Sequence, residues 1–420
     1  MISETKKKSF HYGWVMVFVG FLITWFIGCI YSSAAGMMVK PVSEDFGISR
    51  SRFSLGTTFN SIGGMIMSAI VGKLYKRFSL KKVVLASAVV FALCYGSMGF
   101  APNIYMFYVL SFIAGFALVA ASMVGVGTML SRWFNEKRGL AMAIASSGSG
   151  VGGVVMNPVI GRLVTSIGWR KTYMAIGIMV VAVLVPAITL LMKESPARAG
   201  MQPYGAEKSS VTGGKDLQQS GMMAAQALKT PMFFMLIPII VSISATSNCV
   251  MQHTVAYATD IGFEYTAAAG IASVLTAGLA IGKLVLGQLF DTLGSRKACT
   301  VSLSIYTLSM LIYFGATMEM PALMYTGSAI WGMGGSFAAV ASSLIVQDIF
   351  GKKDYANIFG YISICSSLGG AVGPTLMASA FDAMGTYKPS WLVCAGIMVV
   401  NIILLGIVFT QKNRYNKKHS

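Results

Sequence analysis

The chain has 420 residues, of which 55% are hydrophobic and only 11% are charged. A soluble domain carries roughly 25% charged residues, so this chain lacks the charge needed to cover a water-facing surface. The composition excludes an ordinary soluble protein and predicts an all-α membrane protein whose main solvent is the lipid bilayer.

Twelve stretches are long and apolar enough to cross a bilayer, which requires about 20 mostly apolar residues per helix. In chain order they are 13–39, 54–74, 82–101, 105–131, 138–166, 172–192, 231–259, 265–290, 298–317, 321–347, 355–384 and 389–411. Lys6, Lys7 and Lys8 precede the first stretch, as in a signal peptide. That stretch is too long for a cleaved apolar region, so we interpret it as a retained span.

Lysine and arginine are distributed unequally between the two sides of these spans. With the N-terminus inside, 24 of them fall on inside segments and 6 on outside segments. The outside residues are Lys40, Arg50, Arg52, Arg170, Lys171 and Lys388. Because cytoplasmic loops are enriched in Lys and Arg, we expect a multi-pass cell-membrane protein with both termini in the cytoplasm. This placement also explains the net charge of +18 without nucleic acid as a partner.

One long polar stretch, rich in Gly, Ser, Gln and Lys, interrupts the series of spans between Lys193 and Thr230. Its composition is typical of a flexible linker. The predicted domains are an N-terminal six-helix bundle at 1–193, a cytoplasmic linker at 194–230 and a C-terminal six-helix bundle at 231–420. Two six-span halves repeated in parallel predict a transporter whose substrate site lies between the halves near the bilayer midplane.

A repeated loop supports this two-half plan. After the second span the chain runs from Gly72 to Lys82, and after the eighth from Gly287 to Lys297, each time from a glycine to a basic end. The second copy, with Asp291, Gly294 and Arg296, resembles the signature loop of the major facilitator superfamily. The resemblance implies a gate motif in which the acid stabilises one gate conformation. In the first copy, Lys76 stands in place of the acid and Ser79 in place of the glycine.

Further motifs resemble the group of oxalate–formate antiporters and monocarboxylate transporters. They are Tyr12-Gly13-Trp14, Pro41 to Gly47, Arg132-Trp133-Phe134, Lys137 to Ala141, Gly168-Trp169-Arg170, Pro203-Tyr204-Gly205 and Asp348 to Gly351. Their order along the chain is similar to that group, and the group implies carriage of small organic anions.

Lys283 is the charge that carries most information about function. It precedes Asp291 by eight residues, which is about 12 Å along a helix. That depth is near the middle of a ~30 Å hydrocarbon core, where a charge is costly unless it faces water or a partner. In the resembled group a basic residue at this spacing binds the substrate carboxylate, so we expect Lys283 to bind substrate. The alternative is a lysine that extends toward the cytoplasm.

His253 and Asp260 are seven residues apart in the seventh span and therefore share a helix face. Related carriers place histidine and aspartate here, so both residues are candidates for proton coupling. The alternatives are an aspartate that ends the span and a histidine satisfied in the interior.

Other polar residues at depth are candidates for lining a substrate cavity: Asn60, Gln252 and Tyr361. Hydrogen bonding between helices explains such residues equally well. Oxalate antiporters carry a second basic residue in the eleventh span, and residues 360–369 of this chain have none. A single buried cation favours a monoanion over a dianion.

The sequence therefore predicts a secondary active transporter of a small monocarboxylate, by proton symport or anion exchange, with alternating access. The alternatives are transport of a larger aromatic or amphipathic acid, or a membrane solute sensor that does not transport. We expect no enzyme activity, because no nucleophile–base arrangement is visible in the sequence. We also expect no cofactor, no metal site and a monomeric protein.

Overall fold

The structure is a computed structural model that describes residues 11–205, 221–351 and 353–419. Its long elements are eleven α-helices, and the described part contains two isolated β-bridges. The helices are α1 Gly13–Phe46, α2 Arg50–Arg77, α3 Leu80–Met98, α4 Ile104–Trp133, α5 Arg138–Leu191, α6 Pro231–Asp260, α7 Tyr265–Phe290, α8 Thr292–Gly315, α9 Pro321–Phe350, α10 Tyr355–Met384 and α11 Lys388–His419.

Helices occupy all twelve predicted span ranges, and ten of the described helices are long and apolar enough to cross a membrane. Twelve separate spans are not confirmed. The difference has two sources. The fifth and sixth predicted spans form one 54-residue run, α5, in which Gly168 has a non-helical φ of 79° and ψ of 164°. The second source of the difference is α9, a 30-residue helix that is not among the ten candidate spans.

The connections between helices lie at two opposite ends of the molecule. At one end, which we call the Asp260 end, Arg170 bonds Asp45 and the carbonyl of Ala101, while Gly262 faces Met318. At the other end, which we call the linker end, the first and last described parts of the linker contact the loops after α4 and α9. Consecutive helices therefore run in opposite directions when α5 is counted as two arms that meet at Gly168, as membrane-spanning helices joined by short connections must.

Both ends of the linker are attached to helices. The amide of Tyr204 donates to the carbonyl of Trp133 at 2.8 Å, and the Tyr204 ring packs against Trp14 at 6.1 Å between centroids. The amide of Met222 donates to the carbonyl of Phe350, and the amide of Ala224 donates to Asp354. The linker is thus fixed to the N-terminal half at its start and to the C-terminal half at its end.

Glycine allows helix backbones to touch at several crossings. A Cβ on Gly115 of α4 would overlap the carbonyl oxygen of Asn60 in α2, and a Cβ on Gly63 of α2 would overlap that of Phe112 in α4. Helices in lipid associate through such close packing, because lipid provides no hydrophobic drive between them. The close approach of α2 and α4 therefore requires glycine at positions 63 and 115.

We expect Gly115→Ala to destabilise the protein by about 1–3 kcal/mol, the usual cost of overpacking. The matched control is Gly406→Ala in α11, where an added Cβ meets nothing within 4 Å. Alanine is the better helix former by about 1 kcal/mol, so the control should be neutral or stabilising. Thermal unfolding in detergent measures both variants. Equal melting temperatures for the two would contradict this account of the crossing.

Candidate functional site

The two halves meet along a seam between α7 and the first arm of α5, residues 138–167. A Cβ on Gly161 would lie 2.6 Å from that of Ala269, one on Gly153 would lie 2.7 Å from Thr276, and one on Gly150 would lie 3.0 Å from Ala280. The residue numbers rise along one helix as they fall along the other, so the two helices are antiparallel. We call this contact the α5–α7 seam.

Lys283 continues the α7 stripe that forms this seam. It follows Ala280 by three residues and Thr276 by seven, spacings that keep all three on one helix face. Seven residues separate it from Phe290, so its Cα lies about 10 Å inside the linker end of α7. Lys283 is half-buried, and no residue whose side chain the structure describes forms a hydrogen bond or ion pair with it. Its ammonium group is therefore available to a ligand.

The linker end is open between α2 and α10. A cleft of about 570 Å³ lies there, which we call the linker-end cleft, with Met65, Ser68 and Ala69 on one side and Asn357 and Tyr361 on the other. Tyr361 is 46% exposed. Nearer the Asp260 end the same helices touch, because Thr58 donates to the carbonyl of Ala371 at 2.6 Å. The gap between the halves therefore widens toward the linker.

The Asp260 end is closed by a charge cluster centred on Arg50. Both terminal nitrogens of Arg50 bond the Asp260 carboxylate, at 2.5 and 2.8 Å, and Lys40 lies 3.5 Å from it. The guanidinium also stacks on the ring of Phe381 at 3.9 Å. Asp382 accepts from the amide of Arg50 at 3.1 Å, which places an anion at the N-terminus of α2. Each of these contacts joins the N-terminal half to the C-terminal half.

His253 is attached to this cluster through Tyr387. The Tyr387 oxygen accepts from Arg50 at 3.2 Å and lies 3.1 Å from His253 Nδ1, while His253 Nε2 lies 2.9 Å from the carbonyl of Pro374. A carbonyl only accepts, so Nε2 carries the proton, and Nδ1 accepts from the Tyr387 hydroxyl. Burial raises the pKa of Tyr387, which keeps that hydroxyl protonated. Both ring nitrogens of a neutral His253 are therefore satisfied.

The remaining candidates for cavity lining bond to neighbouring helices. Gln252 is 4% exposed and donates to the Ser54 hydroxyl at 3.1 Å, which adds a contact between the halves. Asn60, also 4% exposed, donates to the carbonyl of Ser111 within the N-terminal half. Among the described contacts, none joins Asn60, Gln252, His253 or Asp260 to Lys283. The predicted site residues are thus spread over several places rather than gathered around one cavity.

The signature loop lies at the linker end and includes the end of α7 and the first turn of α8. Gly294 has a φ of 74° and ψ of 161°, a conformation that favours glycine and that breaks the helix there. Arg296 is exposed, and the side chain of Asp291 lies outside the described part of the structure. The role of this loop in gating stays a prediction.

Sequence reasoning did not single out Arg50, Asp382 and Tyr387 as functional residues. Arg50 and Asp260 are far apart in the chain, and each by itself is an ordinary charge at the end of a span. Pairing between distant segments leaves no local pattern. The arrangement, closed at the Asp260 end and open at the linker end, is one of the two states that alternating access requires.

If the Arg50 cluster holds the Asp260 end closed, Arg50→Ala should favour opening there. Charged hydrogen bonds of this kind contribute about 1.5–3 kcal/mol each, so we expect at least a 10-fold faster reaction of a Thr58→Cys reporter with an impermeant maleimide. Arg52→Ala is the matched control, because the described contacts of Arg52 use its backbone alone. Equal labelling in the two variants would show that the cluster does not hold this end.

Similarity to known proteins agrees with this architecture. The family model described as Major Facilitator Superfamily matches residues 18–374 and 235–420. The uncharacterized MFS-type transporter YhjX of Escherichia coli is 24% identical, over 84% of this chain and 85% of that protein. Monocarboxylate transporter 13 of Rattus norvegicus is 24% identical, over 95% of this chain and 89% of that protein.

Two further comparisons extend this similarity. The oxalate:formate antiporter of Oxalobacter formigenes is 22% identical, over 91% of this chain and 88% of that protein. The crystal structure of the nucleoside transporter NupG has the same fold, with a TM-score of 0.72, 14% identity, and coverage of 95% of this chain and 99% of that one. From the family match over most of its length, together with its helical fold, the chain belongs to the Major Facilitator Superfamily.

Proposed function

We propose that this protein is a secondary active transporter of a small monocarboxylate, with Lys283 as the residue that binds the carboxylate. The observation that carries the proposal is the placement of Lys283. It is a half-buried cation within an apolar helix, on the face that meets the other half, with no anion bonded to it in the described part of the chain. A charge at such a position is costly unless it serves a pathway or a ligand.

The charge count in the membrane region favours a monoanion. Residues 360–369 of α10 contain no cation that would pair with a second carboxylate. The lysine ammonium is a compact point charge, whereas the arginine guanidinium is a planar fork. Lysine can therefore bind a single carboxylate without requiring a bidentate geometry. Two of the relatives are named as a monocarboxylate transporter and an oxalate:formate antiporter. These names support an organic acid as the substrate.

The mechanism we propose is alternating access. The Arg50 cluster closes one end while the linker-end cleft opens the other, so Lys283 would be reached from the linker side in this state. Binding of a carboxylate would neutralise the charge of Lys283. This lowers the free-energy cost of the state between the two open states, in which both ends are closed and the lysine is shielded from water. The opposite state would break the Arg50–Asp260 contact and close the cleft between α2 and α10.

We also propose the twelve-span topology with both termini in the cytoplasm. Division of the 54-residue α5 at Gly168, and inclusion of the 30-residue α9, bring the ten candidate spans to twelve. The excess of lysine and arginine on the linker side supports a cytoplasmic linker. The two proposed bundles are 1–193 and 231–420. In the proposed orientation the Asp260 end faces outward, and the structure is open to the cytoplasm.

A larger aromatic or amphipathic acid is the second candidate substrate. The volume of the linker-end cleft, about 570 Å³, favours it because a two- or three-carbon acid would leave most of that space to water. A panel of labelled acids of increasing size separates the two candidates by their relative uptake.

The test of the carboxylate role compares Lys283→Ala, Lys283→Arg and the wild type in proteoliposomes. We expect Lys283→Ala to lower monocarboxylate uptake at least 100-fold, since the anion would lose its buried partner, and Lys283→Arg to retain part of the activity. Lys353→Ala, which removes an exposed lysine at the linker end outside the signature loop, is the control and should transport normally. Undiminished uptake by Lys283→Ala would refute the role.

We propose His253 and Asp260 as the two candidates for proton coupling, and Asp260 can be tested directly. If Asp260 carries the proton, Asp260→Asn should abolish the stimulation of uptake by an inward proton gradient while exchange between two anion pools continues. Asp45→Asn is the matched control, because Asp45 pairs with Arg170 within the N-terminal half. Unchanged dependence on the proton gradient in Asp260→Asn would leave anion exchange as the mechanism.

A further inference from the structure

A groove on the outer surface of the N-terminal half lies between α3 and the second arm of α5, residues 169–191. Its volume is about 520 Å³, and most of its lining side chains are apolar. At its base the two helices touch, since a Cβ on Gly177 would lie 2.8 Å from the Cα of Gly96. Leu93 is 60% exposed and Ile178 is 69% exposed, so these walls of the groove face away from the protein core.

The groove begins near the Asp260 end and runs toward the middle of the membrane. On α5 its lining extends from Met174 to Ala182, eight residues or about 12 Å. Four residues before Met174, Arg170 bonds the carbonyl of Ala101 in the loop after α3. One leaflet of a ~30 Å hydrocarbon core is about 15 Å thick. The groove therefore spans most of one leaflet, which is the depth that an acyl chain occupies.

Lys171 lies at the mouth of the groove. It precedes Met174 by three residues and Ile178 by seven, so it shares their helix face. It is exposed, and it forms no hydrogen bond or ion pair with the described part of the chain. The adjacent Arg170, in contrast, pairs with Asp45. The groove thus ends at an unpaired cation at the level of the lipid headgroups.

Ser97 adds a polar group inside the groove. Serines such as Ser68 donate to a carbonyl of their own helix, whereas the Ser97 hydroxyl has no hydrogen-bond partner among the described residues. Because Gly96 contacts Gly177 and the two helices are antiparallel, Ser97 lies level with residue 176. That position is five residues, roughly 7 Å, deeper in the membrane than Lys171.

A phospholipid with a net negative headgroup matches these features together. Its acyl chain fits the apolar groove, an ester carbonyl can accept from the Ser97 hydroxyl, and its phosphate can bind the Lys171 ammonium. The ester groups of a phospholipid lie deeper in the membrane than its phosphate, as Ser97 lies deeper than Lys171. A zwitterionic headgroup carries a cation of its own beside the phosphate, and that cation repels the lysine.

We propose that the groove between α3 and the second arm of α5 binds one anionic phospholipid from the leaflet at the Asp260 end. Lys171 binds the phosphate, and the apolar walls hold one acyl chain. The site lies apart from Lys283 and the linker-end cleft, so it does not depend on which solute the protein carries.

Native mass spectrometry of the delipidated protein in detergent tests this site. The protein is titrated with phosphatidylglycerol, which is anionic, or with phosphatidylcholine, which is zwitterionic, both with the same acyl chains. We expect the first phosphatidylglycerol to bind about 5-fold more tightly than the first phosphatidylcholine, the effect of one lysine at an anionic lipid surface. Lys171→Gln should remove this preference and leave phosphatidylcholine binding within about 2-fold, whereas Lys171→Arg should keep it.

Two further variants locate the site. Arg52→Gln is the matched control, because it removes another exposed cation at the Asp260 end whose described contacts use the backbone alone. It should keep the preference for phosphatidylglycerol. Ala182→Trp places a large ring at an exposed position in the deep part of the groove and should weaken both lipids by a similar factor.

A wild type without preference for phosphatidylglycerol, or an equal loss in Lys171→Gln and Arg52→Gln, would overturn the proposal. A wild type that binds no lipid but forms a dimer that Ala182→Trp dissociates would also overturn it, since the groove would then hold a second copy of the chain. None of these results bears on carriage of a monocarboxylate, which Lys283→Ala tests separately.

Discussion

The ion pair between Arg50 and Asp260 is the interaction on which the arrangement of the two halves depends. Its side chains are 11% and 21% exposed, so the pair is better shielded from water than a surface ion pair and its two parallel hydrogen bonds are correspondingly stronger. Around it, Asp382, Tyr387, Phe381 and Lys40 contribute further contacts across the same boundary. With one end held in this way, the halves separate only at the other end, where the linker-end cleft lies.

The seam between α5 and α7 complements this closure. Its residues are mostly glycine and alanine, so the two helices touch along several turns without interlocking side chains that would hold one relative position. Two polar groups interrupt the seam, Asn157 in the closed part and Lys283 toward the open part. Both lack partners among the described side chains. Such groups are costly in a contact surface within the membrane unless a ligand or a pathway satisfies them, and we propose that a small organic anion does so for the lysine.

Much of the fold follows from hydropathy alone. The predicted span ranges coincide with helices because about 20 apolar residues in lipid must form a helix to satisfy their backbone hydrogen bonds. The division between the fifth and sixth ranges was placed around Gly168, and the structure has its non-helical residue there. The same reasoning gives depth in the membrane but not the direction in which a side chain points.

Because hydropathy does not give the direction of a side chain, it could not predict which polar residues lie together in the folded protein. Gln252 and Asn60 were expected from their depth to line a cavity. Each bonds a neighbouring helix, and Asn60 also lines a pocket of about 40 Å³, so their role in substrate binding stays a prediction. His253 and Asp260 do share a face, but Tyr387 and Arg50 connect them, and these two lie in other helices or loops far along the chain. Only the packing of helices α1, α2, α6 and α10 brings those residues together, and no local sequence pattern encodes it.

Counterflow tests the central claim, that the two halves alternate around a monocarboxylate. Vesicles containing the purified protein are loaded with an unlabelled acid, and the entry of a trace of the same labelled acid is followed without any ion gradient. The account predicts a transient overshoot with short monocarboxylates, absent in Lys283→Ala vesicles, and none with oxalate on both sides. An overshoot with oxalate but not with monocarboxylates, or none with any acid, would contradict it.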